Sequence, residues 1–293
     1  MSGGAAARRG IALGLGAYFW WGFLPLYFKL FPGVDPGEIV AQRIIWSVVL
    51  LAAMIALLGR TAKLRAALGD PRARIVLLAS AALIALNWLV YVWAVSRAHV
   101  LETSLGYFLN PLVNVVLGMA VLKERLGRAQ GIAVLLAAVG VTILAASAAA
   151  GLWISLTLAF SFSLYGLLRK IAPVESLEGL MIETLILCPA AFAWLAVLDA
   201  GGGLAFGREV GESVLLALGG LVTAAPLLLF AAAARLLPYS TLGLLQYLAP
   251  TIQFLLAVLV FGEPLRPAHM LCFGLIWTGL AIFAADGLRR SRS

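Results

Sequence analysis

The sequence predicts an all-α integral membrane protein with ten transmembrane helices in two inverted five-helix repeats. Composition is the first of three observations that lead to this class. Of the 293 residues, 63% are apolar and 12% are charged, and the mean hydropathy is +1.05. Soluble domains carry about 25% charged residues, so this chain lacks the polar side chains to cover a water-facing surface of its size. A lipid bilayer is therefore the expected solvent.

The second observation is a series of ten apolar segments, each about 18–24 residues long, which is close to what a helix needs to cross ~30 Å of hydrocarbon. They are 10–30, 38–58, 73–96, 101–121, 129–146, 151–168, 179–198, 213–235, 241–261 and 268–286. The first resembles a signal peptide, but its length and the closely following second segment favour an uncleaved helix. One membrane domain is expected over 1–293, with repeats at 8–146 and 151–286.

The third observation is an internal repeat. The stretch Leu105–Glu124 reads LGYFLNPLVNVVLGMAVLKE, and its echo at Leu242–Glu263 reads LGLLQYLAPTIQFLLAVLVFGE. A shift of 139 positions superimposes a proline, an amide and a glutamate: Pro111 on Pro250, Asn114 on Gln253, and Glu124 on Glu263. Because equivalent positions are five segments apart, and five is odd, the two halves enter the membrane with opposite orientation.

The basic residues give the topology independently. With the amino terminus inside, 16 Lys and Arg residues fall on the inner side and one, Arg43, lies within the second segment. The outer side receives four, Lys29, Arg97, Arg208 and Arg266. This bias predicts an even number of spans in a bacterial inner membrane, with both termini cytoplasmic. The net charge of +8 is thus explained by topology and anionic lipid, and no nucleic-acid partner is expected.

Nothing in the sequence indicates an enzyme. The two histidines, His99 and His269, fall in predicted outer loops and have no serine, cysteine or carboxylate arranged around them as a catalytic triad. Cys188 and Cys272 lie in apolar runs, where thiols behave as small hydrophobes. No phosphate-binding loop, metal cluster or cofactor motif is present, so no cofactor and no direct use of ATP are expected.

The informative residues are polar groups at membrane depth. Asn87, in the third segment, begins a polar and aromatic face that includes Trp88 and Tyr91. Aromatic side chains beside an amide suit a flat or amphipathic organic ligand. The alternative for these aromatic residues is an interfacial belt or ordinary helix packing.

The two repeated prolines mark a second group. Each frees a backbone carbonyl one turn earlier, at Tyr107 and at Gln246, and in lipid such a carbonyl needs a partner or a water-lined cavity. The polar side chains close to these bends are Asn110, Asn114, Gln246, Tyr247 and Gln253. They either line a substrate path or make hydrogen bonds between helices. The glutamates at the ends of the two copies are best explained as local caps or by pairing within loops.

Two charged residues, Arg43 and Glu183, lie four or five residues inside predicted helices. Arg43 either snorkels to the interface, binds a substrate carboxylate, or pairs with Glu183. A charge in the middle of a membrane helix costs ~2.5–3.5 kcal/mol and marks a pathway or an internal pair, so both residues are candidates for charge recognition or proton coupling. The repeat places Arg43 and Glu183 at equivalent but inverted positions, which argues against a direct bridge.

Several motifs resemble a known family over nearly the whole chain. They are AYFWWGFLPLYFKL, EIVAQRIIWS, NWLVYVWAV, ETSLGYFLNPLVNVVLGMAVLKER, SFSLYGLLRK and STLGLLQYLAPTIQFLLAVLVFGE. The chain resembles the RarD-type branch of the EamA family, in the drug/metabolite transporter superfamily. That resemblance implies ten helices in two inverted halves, cytoplasmic termini, a central cavity, and transport of small organic molecules, usually export, without ATP hydrolysis. It brings no agreed set of functional residues.

The expected function is therefore secondary transport of small organic molecules by alternating access, with export as the direction. The expected partners are a small-molecule substrate and the lipid bilayer, with no obligate protein partner. A passive channel or permease is the alternative, since residues that line a pore look alike in both. A membrane-embedded enzyme would need clustered histidines or carboxylates, and a sensor would need a soluble domain.

Overall fold

The computed structural model describes residues 2–97, 99–146, 152–260 and 267–292. The chain is 85% helix, and the described residues contain no strand. The helices of the first half are α1 (Ser2–Gly22), α2 (Leu24–Phe28), α3 (Pro36–Leu57), α4 (Thr61–Gly69), α5 (Pro71–Ser96), α6 (Val100–Ala120) and α7 (Arg128–Ala145). Those of the second half are α8 (Leu152–Ile171), α9 (Ser176–Ala200), α10 (Val210–Leu236), α11 (Tyr239–Gln246), α12 (Leu248–Leu259) and α13 (Pro267–Arg292).

Six helical stretches within the described residues are long and apolar enough to cross a bilayer. They are Ala5–Phe28, Pro36–Leu57, Pro71–Ala94, Leu152–Ile171, Ser176–Ala200 and Val210–Leu236. Leu105–Ala120, Arg128–Ile143 and Met270–Asp286 are shorter apolar helices. Large apolar side chains such as Leu89 and Val197 lie exposed on the outside of the bundle, as lipid contact requires. The predicted all-α membrane class is confirmed.

The short helix α4 has no counterpart among the predicted apolar segments. Gly59 takes a left-handed conformation, with φ of +64°, and turns the chain out of α3 into α4. Helix α4 then packs against α5 and α9 through Ala67. The hydropathy of the sequence did not predict α4, because this helix has a low apolar content and hydropathy detects only segments apolar enough to cross the membrane.

The first apolar segment is broken into α1 and α2 beside Pro25. A residue at position 25 of a regular helix would donate its N–H to the carbonyl of Trp21, and proline has no N–H. That carbonyl instead accepts a hydrogen bond of 3.0 Å from Nε2 of Gln253 on α12. The break in one half of the chain is thus satisfied by an amide from the other half.

The ninth apolar segment is divided at Tyr247 into α11 and α12. Pro250 follows three residues later and cannot donate to the carbonyl of Gln246. Pro111 behaves differently, since it lies inside α6, which is continuous from Val100 to Ala120. The repeated prolines therefore accompany a helix break in one copy and an unbroken helix in the other. Glu263, Arg266 and the end of this segment at 261 lie outside the described residues.

Helix pairs from the two halves form the bundle. The closest packing joins α7 to α13, α6 to α8, α3 to α10, α3 to α9, α1 to α10 and α5 to α8. In the α7–α13 pair the contacts are reciprocal: a Cβ on Gly140 would lie 3.0 Å from the carbonyl oxygen of Cys272, and one on Gly279 would lie 3.0 Å from Cα of Ala133. These two contacts are related by the same shift of 139 positions. Small residues allow such close approach of membrane helices.

The largest core cluster lies where α1, α8 and α10 meet. Its aromatic centre contains Tyr18, Trp21, Phe162, Tyr165 and Phe230, with ring centroids 5.5–6.3 Å apart. Edge-on and tilted ring pairs of this kind are favourable beyond the area that they bury. One member, Tyr165, also donates a hydrogen bond to Glu183 in a polar cluster described below.

Candidate functional site

Arg43 is a buried cation in the first third of α3, about 10 Å along the axis from the start of the helix. Its Nε donates a 2.6 Å hydrogen bond to Oγ1 of Thr223 on α10. Gly219 allows this approach, because a Cβ at that position would lie 2.7 Å from Cγ of Arg43. The guanidinium carbon lies 5.4 Å from the ring centroid of Phe28 and 5.8 Å from that of Trp88.

Three tyrosines complete the surroundings of this guanidinium. Tyr27, Tyr91 and Tyr107 come from α2, α5 and α6, and all three lie near Arg43. The rings of Tyr91 and Tyr107 are 5.9 Å apart. The hydroxyl of Tyr27 donates to the carbonyl of Leu215 over 3.1 Å. We call Arg43 with its shell the Arg43 cluster: Tyr27, Phe28, Arg43, Trp88, Tyr91, Tyr107 and Thr223.

Glu183 lies in a separate cluster, about 10 Å into α9. One of its carboxylate oxygens is 3.5 Å from the guanidinium of Arg169 and accepts a short hydrogen bond from Ser80. The other oxygen accepts a 3.5 Å hydrogen bond from Tyr165. Glu183 and Arg169 are each 2% exposed, so the ion pair is fully buried. We call these four residues the Glu183 cluster.

The polar side chains near the two repeated prolines make different contacts. Asn114 and Gln246 meet where α6 crosses α11, and Nδ2 of Asn114 donates to Oε1 of Gln246 over 2.8 Å. The amide of Asn110 is fully buried, and neither its nitrogen nor its oxygen has a hydrogen-bond partner among the described residues. The hydroxyl of Tyr247 donates to the backbone carbonyl of Phe108 over 3.3 Å.

Asn87 and Gln253 make bonds that join helices. Nδ2 of Asn87 donates to the carbonyl of Leu158 over 3.0 Å and to Oγ of Ser161 over 2.9 Å, both on α8. Gln253 donates to Trp21, as described above. The hydrogen bonds that these two amides make among the described residues go to Leu158, Ser161 and Trp21, and none goes to the Arg43 cluster.

Carboxylates hold the connections at both ends of the bundle. Glu38, at the start of α3, accepts hydrogen bonds of 2.8–3.1 Å from the backbone N–H groups of Ala205 and Phe206, in the connection after α9. Glu124 accepts bonds of 2.6 and 2.9 Å from the first N–H groups of α11, at Tyr239 and Ser240. Glu124 therefore caps α11, a helix in the other half of the chain, and is not a local cap.

Ion pairs hold the connection that follows α3, at the opposite end of that helix from Glu38. Nε of Arg60 lies 2.7 Å from Glu178, at the start of α9, and Nη2 lies 2.5 Å from Glu175. Lys63 approaches Glu175 to 2.7 Å. Hydrogen bonds from Lys63 and Arg60 hold the pKa of the Glu175 carboxyl below its usual value. The connection after α3 is thereby fastened to the start of α9.

Comparison with known proteins identifies the family. Residues 8–146 match the EamA-like transporter family. The chain is 46% identical over 290 residues to an uncharacterized transporter of Pseudomonas aeruginosa, covering 98% of this chain and 97% of that one. It is 43% identical to protein RarD of Escherichia coli, covering 97% of each chain. It is 44% identical to protein RarD of Streptomyces exfoliatus, covering 97% of this chain and 91% of that one. The chain belongs to the EamA family, in its RarD-type branch.

The fold agrees with this membership. A crystal structure that is 20% identical in sequence superimposes with a TM-score of 0.74, over 94% of this chain and 96% of that chain. As a RarD-type EamA protein with several membrane-spanning helices, the chain is a multi-pass inner-membrane transporter of the drug/metabolite class. The family resemblance expected from the motifs is confirmed.

Within this EamA transporter, the structure brings together four of the predicted residues, Arg43, Trp88, Tyr91 and Tyr107. Sequence reasoning did not select Tyr27, Phe28 and Thr223 of the same cluster. The signal for the first two was Pro25, because a proline can break a helix and change the direction in which the following side chains point. Arg169 comes directly after the predicted sixth segment, 151–168, so of this ion pair only Glu183 is predicted to lie at membrane depth.

Proposed function

We propose that this protein is a secondary transporter that moves small organic molecules out of the cell by alternating access, without ATP hydrolysis. Its substrate site is the Arg43 cluster, with the amides Asn110, Asn114 and Gln246 forming a second polar layer where α6 crosses α11. Asn87, Tyr247 and Gln253 keep a supporting role, since each is bonded to a neighbouring helix. Export is the direction that the family resemblance implies.

The observation that carries this proposal is the reciprocal contact between the two halves. The start of α3 binds the connection after α9 through Glu38, and the start of α9 binds the connection after α3 through Glu178. Helices α3 and α9 therefore run in opposite directions, as inverted repeats at 8–146 and 151–286 require. The paired glycines of α7 and α13 support the same relation. Two inverted halves can exchange conformations around a central site, which is the geometry of alternating access.

The arrangement of basic residues supports cytoplasmic termini and ten spans. Four of the residues predicted to face the cytoplasm lie close together at one end of the bundle: Arg60, Lys63, Lys170 and Arg235. Lys170 donates to the carbonyls of Ala234 and Leu237, and Arg235 donates to the carbonyl of Val174, near the Arg60 ion pairs. Basic side chains at this end match the positive-inside rule.

Cysteine accessibility tests the mechanism without knowledge of the substrate. The reporter is Tyr91→Cys in a chain that also carries Cys188→Ala and Cys272→Ala, labelled with a membrane-impermeant maleimide. Labelling in whole cells reports outer access, and labelling in inside-out vesicles reports inner access. Glu38→Gln weakens the contact at the outer end, so outer labelling should rise. Glu178→Gln weakens the contact at the inner end, so inner labelling should rise while outer labelling falls.

Glu209→Gln is the matched control, because Glu209 is an exposed carboxylate in the same outer connection that Glu38 binds. This control should leave the rate of labelling unchanged both in whole cells and in inside-out vesicles. Opposite changes in the ratio of outer to inner labelling in Glu38→Gln and Glu178→Gln would support alternating access. Equal labelling from both sides in every variant would show a continuous pore, and the proposal would give way to a passive channel.

A further inference from the structure

We infer that the substrates of this transporter are organic anions, and that the Arg43 cluster holds their carboxylate group while its aromatic residues pack against a flat apolar body. The inference rests on the proposed function, because it names the substrate class of the same site. It is carried by the incomplete shell of a buried cation.

The shell of Arg43 lacks an anion. The side chain is 9% exposed, and its Nε–H is the only N–H group that bonds to the residues described, through Thr223. Its two terminal nitrogens make neither a hydrogen bond nor an ion pair within this part of the chain. The other arginine buried at depth, Arg169, has Glu183 beside it. A buried charge normally has an opposite charge nearby, so the position facing Arg43 is suited to an anion that comes and goes.

The geometry favours a carboxylate in particular. A guanidinium presents N–H groups in a rigid planar fork, and a carboxylate accepts two of them in parallel. Thr223 fixes one edge of the plane through Nε and leaves the two terminal nitrogens free. A cationic or zwitterionic ligand would bring an ammonium group to a site where the described residues place no acidic side chain within ion-pair distance of Arg43.

The walls of the cluster define the rest of the ligand. Phe28 and Trp88 lie against the guanidinium, and Tyr91 and Tyr107 are half-buried side chains whose rings are 5.9 Å apart. The hydroxyls of Tyr91 and Tyr107 make no hydrogen bond to the described residues, so they remain available to a second polar group. Aromatic faces with few fixed polar groups are typical of sites for flat organic ligands.

A charge series on one carbon skeleton tests the inference. The probe is radiolabelled 3-phenylpropionate, bound at neutral pH to the purified full chain in detergent micelles. Its competitors carry the same phenyl ring and short chain with a different charge: 3-phenylpropanamide is neutral, phenylalanine is a zwitterion, and phenethylamine is a cation. The anion should bind at least about tenfold more tightly than the amide or the cation, with the zwitterion between them.

Variants link the preference to one side chain. Arg43→Gln should weaken binding of 3-phenylpropionate by about tenfold to a hundredfold, and Arg43→Lys, which keeps the charge without the fork, should weaken it less. Arg208→Gln removes an exposed arginine from the outer connection and should have no effect. If Arg43→Gln does not fold, Arg43→Lys and the competition series on the unaltered protein still decide the outcome.

Three results would overturn the inference: no binding of 3-phenylpropionate, equal competition by 3-phenylpropanamide, or an affinity within about twofold in Arg43→Gln. Because binding is measured without transport, such a failure leaves the cysteine-accessibility result untouched. Conversely, anion-selective binding that depends on Arg43 would support the inference even in a protein whose access proves not to alternate.

Discussion

Arg43 and Glu183 are both buried about 10 Å from the start of their helices, yet their clusters are built on opposite electrostatic principles. Glu183 is neutralised inside the protein by Arg169 and also accepts hydrogen bonds from Ser80 and Tyr165. Arg43 has one hydroxyl and several aromatic rings, and the described residues offer it no carboxylate. The protein thus contains one buried ion pair and one buried cation for which the described residues supply no anion.

This difference indicates that the two clusters have different roles in the same helix bundle. A buried ion pair that satisfies itself holds helices together and has nothing to gain from a ligand. A buried cation without an anion gains from each ligand anion that arrives. The following substitutions separate the two cases by their effect on stability, measured as the free energy of unfolding in mixed detergent and SDS micelles.

The largest effect is expected for Arg169→Met. This change leaves Glu183 buried without its cation, and breaking a buried pair on one side costs about 3–5 kcal/mol. The double variant Arg169→Met with Glu183→Leu should recover most of that loss, because no unpaired charge remains. If the double variant is as unstable as Arg169→Met alone, lost packing rather than the ion pair explains the effect.

A smaller contrast is expected between the hydroxyls that serve the two charges. Ser80→Ala removes a hydrogen bond to the buried carboxylate of Glu183 and should cost about 1.5–3 kcal/mol. Thr223→Val removes the bond to Arg43 and should cost about half as much, since the aromatic faces and an incoming water can still serve the guanidinium. Equal costs would mean that the two shells are equally complete.

The scaffold itself should respond symmetrically. Gly140→Leu and Gly279→Leu each force a side chain into the α7–α13 contact and should each cost about 1–3 kcal/mol. Gly131→Leu and Gly274→Leu are matched controls on the same two helices, because a Cβ at either position meets nothing within 4 Å. Unequal costs at Gly140 and Gly279 would limit the symmetry to the outline of the fold.

Much of the class and part of the site could be predicted from the sequence. Hydropathy found the apolar helices, and the cost of charge at depth selected Arg43 and Glu183. The sequence could not show which neighbour compensates each charge, because the neighbours depend on the rotation and crossing of helices that are far apart in the chain. Asn87 illustrates the limit: it is one residue from Trp88, but it faces α8 instead of Arg43.

The helix breaks show a second limit. Pro25 and Pro250 accompany breaks, whereas α6 runs unbroken through Pro111. A proline always removes one donor, but whether the helix yields depends on the groups that satisfy the freed carbonyl. At Pro25 that group is Gln253, which lies 228 positions away and carries no local sign of the contact.

The smallest effect on stability is expected for Arg43→Met, and it provides the strictest test of the comparison. A cation at membrane depth costs ~2.5–3.5 kcal/mol, and the aromatic faces return only about 0.5–2 kcal/mol of this. Replacing it by an apolar side chain of similar length should therefore leave the unfolding free energy within about 1 kcal/mol of the unaltered protein, or raise it. The same substitution at Arg169 removes the partner of Glu183 and should be severely destabilising. A large loss of stability in Arg43→Met would mean that its charge is already balanced within the protein, which would leave no place for a ligand anion.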